Sequence, residues 1–150
     1  ANAYLGEGEY LLAEADESDA SFLFLNPMIS VVTNIDLDHM DTYEHDENKL
    51  KQAFIQFLHN LPFYGRAIVC GEDKRLQEII PSINRPTTTY GLSDKFDIYA
   101  TEVVAVGGSM SYNVHVKWLN LIYPIVVNMP GVHNVLNSLS VIAVALECDG

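Results

Sequence analysis

Tyr10-Leu11-Leu12-Ala13-Glu14-Ala15-Asp16-Glu17-Ser18-Asp19 and Ile29-Ser30-Val31-Val32-Thr33-Asn34-Ile35-Asp36-Leu37-Asp38-His39-Met40-Asp41 decide the fold of this chain. Each is a short apolar run that breaks into carboxylates. Short apolar runs with β-branched residues, bounded by polar turns, read as buried strands of a parallel sheet. They place strands at 9–14 and 28–34, with Asn26-Pro27 punctuating the loop between them. Open α/β sheets bind ligands beyond the carboxyl ends of their strands. Both acidic clusters and one imidazole therefore fall where such a fold carries its site.

Working outward, Asp46 or Asn48 caps a helix running to about His59. Leu50, Ala53, Phe54, Phe57, Leu58 and Leu61 form its apolar stripe, and Asn60, Pro62 and Gly65 stop it. Arg66 to Cys70 reads as a strand, Asp73 to Ile80 as a short helix ended by Pro81, and Thr87 to Tyr90 as another strand. This alternation favours a parallel sheet with covering helices. The pattern then changes. Ile98 to Val106 and Met110 to Trp118 flank Gly107-Gly108, a hairpin signal. Tyr112, Val114, Val116 and Trp118 alternate with polar residues, so one face is buried. Ile122 to Asn128 adds an edge strand broken by Pro124. The last helix starts near His133 or Asn134 and buries Val135, Leu136, Leu139, Ile142, Ala143 and Leu146.

The 150 residues amount to one domain, and a hydrophobic share of 49% is enough for a core. A formal net charge of −12 argues against nucleic-acid and acidic-membrane partners, which need basic surface. Polyanionic ligands must then be met locally. Cys70 and Cys148 have neither metal-ligand nor disulfide spacing, and Cys70 reads as a buried thiol in a reducing, cytosolic setting. No apolar run approaches the ~20 residues of a membrane span.

Three constellations carry chemistry. Glu14 ends its strand and can hold a hard divalent cation, which needs only one or two carboxylates plus phosphates and water. The bland alternative is a solvated acidic turn in which Ser18 or Asp19 caps a helix; Asp16, Glu17 and Asp19 fit that alternative better. His39, between Asp38 and Asp41, reads as a metal ligand with an orienting carboxylate, as a general base, or as a surface histidine. Zinc is disfavoured because no second His or Cys has suitable spacing. His45, His59 and His115 lack such context. Third, Gly131-Val132-His133-Asn134-Val135-Leu136-Asn137 opens a helix with Asn134 and Asn137 one turn apart. An amide matches the Hoogsteen edge of adenine, whereas the plain alternative is helix capping by Asn134. No Gly-x-x-x-x-Gly-Lys-Ser/Thr run appears; Gly107-Gly108 lacks the lysine and the helix.

Taken in order, Ala13-Glu14-Ala15-Asp16-Glu17-Ser18-Asp19-Ala20-Ser21-Phe22, Val31-Val32-Thr33-Asn34-Ile35, Asp38-His39-Met40-Asp41-Thr42-Tyr43, Phe57-Leu58-His59-Asn60-Leu61-Pro62-Phe63-Tyr64-Gly65 and Pro130-Gly131-Val132-His133-Asn134-Val135-Leu136-Asn137 resemble the central domain of the Mur ligases. The likeness is nearest to the branch that joins L-alanine to UDP-N-acetylmuramate. It implies an α/β fold: a mostly parallel Rossmann-like sheet with flanking helices and a small antiparallel insertion at about 96–128. It further implies a partial ATP-binding domain over 1–150, with the phosphate loop upstream of residue 1, the C-terminal domain absent, and no activity of this piece alone. For the parent it implies cytoplasmic peptidoglycan synthesis by ATP-dependent ligation through an acyl phosphate. The resemblance implies that Glu14 holds one magnesium and His39 a second, and that Asn137 reads adenine, with His133 and Asn134 beside the nucleotide. Glu14 and His39 should leave neighbouring strands on one rim. Alternatives are the murein-peptide recycling branch, a non-catalytic metal- or nucleotide-binding remnant, and a metal-dependent phosphohydrolase.

Overall fold

The computed structural model describes residues 2–5, 10–14, 29–33 and 47–149. The Asn26-Pro27 turn, the acidic residues Asp16, Glu17 and Asp19, the segment holding Asp38, His39 and Asp41, and also His45 and Asp46 lie outside the described residues. So do the side chains of Glu14, Leu50 and Cys148. The chain divides into two compact units, Ala1–Val69 with Asp73–Thr87, and Cys70–Glu72 with Thr88–Gly150.

The first unit holds β1 (Asn2–Leu5), β2 (Tyr10–Glu14), β3 (Ile29–Val32), α1 (Glu47–His59), all of β4 (Arg66–Cys70) but its last residue, and α2 (Lys74–Ile79). Strands β2, β3 and β4 are parallel neighbours, as the apolar runs predict; Glu14 pairs with Val31, and Val31 with Ile68. Successive residues of β3 and β4, Ile29 to Val32 and Ala67 to Cys70, are all buried. Burial without alternation means that both sheet faces are covered, as parallel sheets require. The sequence reading assigned nothing to β1. Asn2-Ala3-Tyr4-Leu5 is no continuous apolar run, and the strand is defined by antiparallel pairing with β2 from Asn2↔Ala13 to Leu5↔Tyr10.

Helix α1 buries Ala53, Phe54, Phe57 and Leu58, and Leu61 follows just beyond its end. Full burial of a Phe or Leu side chain contributes about 1.5–3 kcal/mol before entropy is counted. The C-terminal carbonyls of α1 are met from far along the chain. Arg85 donates from Nε to Leu61 O at 2.8 Å and from Nη2 to His59 O at 2.8 Å. His59 Nε2 accepts from the Asn84 backbone N–H at 3.1 Å. A cation at a helix C-terminus satisfies orphan carbonyls and opposes the dipole. At α2, Asp73 Oδ1 accepts from the N–H groups of Arg75 and Leu76, an N-cap. Pro81, in a single 3-10 turn, closes the helix. Lys51 of α1 pairs with Glu78 of α2.

The second unit holds β5 (Thr87–Gly91), β6 (Ile98–Val106), β7 (Ser109–Val116), β8 (Leu121–Val127) and α3 (Val132–Asp149). The expected antiparallel insertion is the meander β6-β7-β8. It extends a parallel step, since β6 also pairs with β5 at Tyr90↔Ile98. Gly107 turns the first hairpin at φ 60°, a left-handed value that glycine adopts without cost. Alternation in β7 buries Met110, Tyr112, Val114 and Val116. Trp118 departs from the expected pattern and is 54% exposed. The strand ends at Val116; Lys117–Leu119 winds into a 3-10 turn and Asn120 is left-handed at φ 50°, which breaks the period. Strand β8 pairs with β7 and places Pro124 opposite Asn113, consistent with an edge position. Helix α3 packs on β6, β7 and β8. Val135, Leu139, Ala143 and Val144 are its buried line, with Leu136, Ile142 and Leu146 half-buried beside it.

Candidate functional site

Those residues singled out from sequence that are described fall in two places, one in each unit. In the first unit, β2 and β3 run parallel with Glu14 opposite Val31. Both strands therefore end at the same edge. Glu14 is the last residue of β2, and Thr33 is the first residue beyond β3. His39 is six positions after Thr33 in the chain and lies outside the described residues, as do Asp16, Glu17 and Asp19. Among the described residues there is no group of three or more His, Cys, Asp and Glu that could hold a metal ion. A magnesium ion shared with phosphates does not require one.

In the second unit, Pro130-Gly131 turns into α3. Gly131 has φ 101°, and the Asn134 N–H bonds to Gly131 O at 3.1 Å. The His133 ring lies against Gly131; a Cβ there would meet ring atoms Cε1 and Nδ1 at 2.8 Å. Asn134 is half-buried, and its Nδ2 donates to Pro130 O at 2.7 Å. One side-chain donor of Asn134 is thus spent on the turn. Asn137 is exposed, as is His133. The two are four positions apart and share one face of α3, opposite the line of Val135 and Leu139. Amide and imidazole thus face solvent together at the start of a helix, where backbone N–H groups and the dipole favour anions.

Sequence reading gave no part to Tyr112 or Ser138. Tyr112 is 3% exposed, and its hydroxyl lies 2.6 Å from Ser138 Oγ. Burial raises the Tyr112 phenol above its ordinary pKa, against the opposing effect of the Ser138 bond. The alternating pattern of β7 marks Tyr112 as inward; only packing reveals its partner on α3. His115 stacks on Tyr99 with centroids 4.5 Å apart, and its Nε2 lies 2.7 Å from Thr101 Oγ1. Asn113 Nδ2 donates to Glu102 Oε2 at 2.8 Å beside a bulge where Glu102 is left-handed at φ 54°.

Comparison with known proteins follows the same lines. The UDP-N-acetylmuramate–L-alanine ligase of Chromobacterium violaceum is 58% identical over 148 residues, covering 98% of this chain and 32% of that protein. The ligase of the same name from Neisseria gonorrhoeae is 56% identical over 149 residues, covering 97% of this chain and 32% of that protein. The present chain thus spans about a third of the curated relatives it matches. The crystal structure of UDP-N-acetylmuramate-alanine ligase from Thermotoga maritima superposes with a TM-score of 0.73 at 23% identity, over 90% of this chain and 29% of that one; at that identity the likeness speaks for the α/β fold. The family model described as Mur ligase middle domain matches residues 4–145. With parallel strands, covering helices and meander all in place, the chain belongs to the Mur ligase family and represents its middle domain.

Proposed function

We propose that this chain is the ATP-binding part of an enzyme that joins L-alanine to UDP-N-acetylmuramate in peptidoglycan synthesis. The observation that carries the reading is the 58% identity, along 98% of this chain, to a relative of that name. In this reading the phosphate loop and the sugar- and amino-acid-binding domains belong to the remainder of the intact protein, which works in the cytoplasm. No described helix is long and apolar enough to cross a membrane.

The chemistry follows from the substrates. A carboxylate is a poor electrophile. Transfer of the γ-phosphoryl group of ATP to the muramoyl carboxylate makes an acyl phosphate, whose oxygen is a good leaving group. The amine of L-alanine then attacks that carbonyl, and phosphate departs. Magnesium, when bound, supplies charge neutralisation at the phosphoryl oxygens. Glu14, at the end of β2, fits this role by residue type and by its place on the strand edge. His39, on the segment that follows β3, is assigned the second metal position by family resemblance. Asn137 offers one donor and one acceptor to the adenine edge, with His133 beside it on the exposed face of α3. Asn134, engaged with Pro130, shapes the turn next to the nucleotide.

The test is phosphate release by the full-length protein with ATP, UDP-N-acetylmuramate and L-alanine. Release that requires all three supports the reading. Release that requires a murein tripeptide in place of L-alanine would assign the protein to the recycling branch, and release without any acceptor would favour a phosphohydrolase. In the same assay His39→Ala should cut turnover far more than folding stability; turnover near wild type would remove His39 from the metal site.

A further inference from the structure

Resting on the adenine-reading role proposed for Asn137, we infer that Tyr112 and Ser138 form a clamp that sets the rotation of α3 and so aims Asn137 at the base. Ser138 directly follows Asn137 in the first turns of α3. Its Oγ donates to Val135 O at 2.7 Å and lies 2.6 Å from Tyr112 OH. A serine hydroxyl has one proton. With that proton given to Val135 O, the phenol must donate to Ser138 Oγ. The bond is therefore directional, running from β7 into the helix backbone one residue past Asn137.

Val135 and Leu139 are fully buried, and Ala143 and Val144 nearly so; these dispersion contacts are non-directional, and the hydroxyl pair adds a directional one. Amide recognition of a base edge depends on direction, because two hydrogen bonds must align together. Asn137 and His133 are exposed on the side of α3 away from Val135 and Leu139, so a roll of the helix moves both. A phenol is protonated at neutral pH at its ordinary value, and burial moves Tyr112 further in that direction. Tyr112 is thus a positioning residue: it is buried beneath the helix and acts on nucleotide through Ser138 and Asn137.

The experiment is steady-state kinetics of the full-length protein with Tyr112→Phe, Ser138→Ala, the double variant and Ser138→Thr, beside Asn137→Ala. Loss of one neutral hydrogen bond should raise KM for ATP about fivefold in Tyr112→Phe and in Ser138→Ala, leaving kcat and the other two KM values within about twofold. The double variant should be no worse than either single one, since both remove the same bond. Ser138→Thr, which keeps the hydroxyl, should restore the wild-type value. A Tyr112→Phe protein with unchanged KM for ATP, while Asn137→Ala raises it, would overturn the clamp alone. Single effects that simply add, or three KM values that rise together, would also overturn it. If Asn137→Ala leaves KM for ATP unchanged, the adenine reading falls and the clamp falls with it.

Discussion

The imidazole of His133 occupies the space that a side chain at Gly131 would need, with Cε1 and Nδ1 each 2.8 Å from an ideal Cβ. Gly131 is also left-handed at φ 101°. Gly131→Ala should therefore lower stability by about 1–3 kcal/mol through backbone strain and push the imidazole off its seat. Adding His133→Ala should recover the steric part and leave the backbone part. The unfolding midpoint of the full-length protein reads both. A Gly131→Ala midpoint equal to wild type would refute the account.

Arg85 binds the end of α1 by two guanidinium nitrogens, reaching Leu61 O and His59 O. Arg85→Met keeps much of the stem but abandons both carbonyls, and should cost about 2–3 kcal/mol, as hydrogen bonds to charged groups do. Arg85→Lys should recover little, because a point charge cannot span two acceptors as a planar fork does. Denaturant midpoints compare the three proteins. Full recovery by lysine would show that charge alone matters.

Phe96 lies against both Gly71 and Gly91, so close that a Cβ at Gly71 would overlap the ring. The ring fills the space two missing side chains leave after β4 and at the end of β5. Overpacking of this kind costs about 1–3 kcal/mol, and Gly71→Ala should show it as a lower thermal midpoint. Phe96→Leu in the same protein should return part of the loss. If it made the loss larger, the ring would not be the obstacle.

Two groups give the stability profile opposite slopes at its two ends. Burial holds the Tyr112 phenol above its usual pKa. Between the unfolded and folded values the unfolded chain binds fewer protons, so stability falls as pH rises. The Tyr112 contribution is whole below pH ~10 and is lost above it. Tyr112→Phe should flatten the alkaline limb. Glu78 behaves in reverse: the hydrogen bond from Lys51, then its charge, lowers the carboxyl below the ordinary value. That contribution is present above the carboxylate range and is lost as pH falls through it. Glu78→Gln should remove a small, salt-screened part of the acid slope. Midpoints across pH decide both; an alkaline limb unchanged in Tyr112→Phe would contradict the first.

Local pattern alone made much of the fold legible. The apolar runs at β2, β3 and β4, the stripe of α1 through Phe54 and Phe57, the glycine hairpin between β6 and β7, and the proline in edge strand β8 are each written in a few neighbouring residues. Strand β1 was not legible, because Asn2-Ala3-Tyr4-Leu5 is no continuous apolar run and only its pairing with β2 defines it. Trp118 was misread, because alternation does not announce where a strand stops. Glu14, His39, Asn134 and Asn137 were named from motifs that resemble the family; His39 lies outside the described residues, and no spacing rule announces that Asn134 is engaged with Pro130.

The sequence by itself determined element type, parallel pairing and the family, since periodicity and turn chemistry act over a few residues and a motif is a string. Only the tertiary structure decided which side chains meet across distance. Arg85 closes α1 from 26 residues beyond His59, and Tyr112 reaches Ser138 across another 26. It also separated Asn134, bound to Pro130, from the exposed Asn137. Such pairings follow from packing and from the need to satisfy buried polar groups, and neither is encoded between neighbours in the chain.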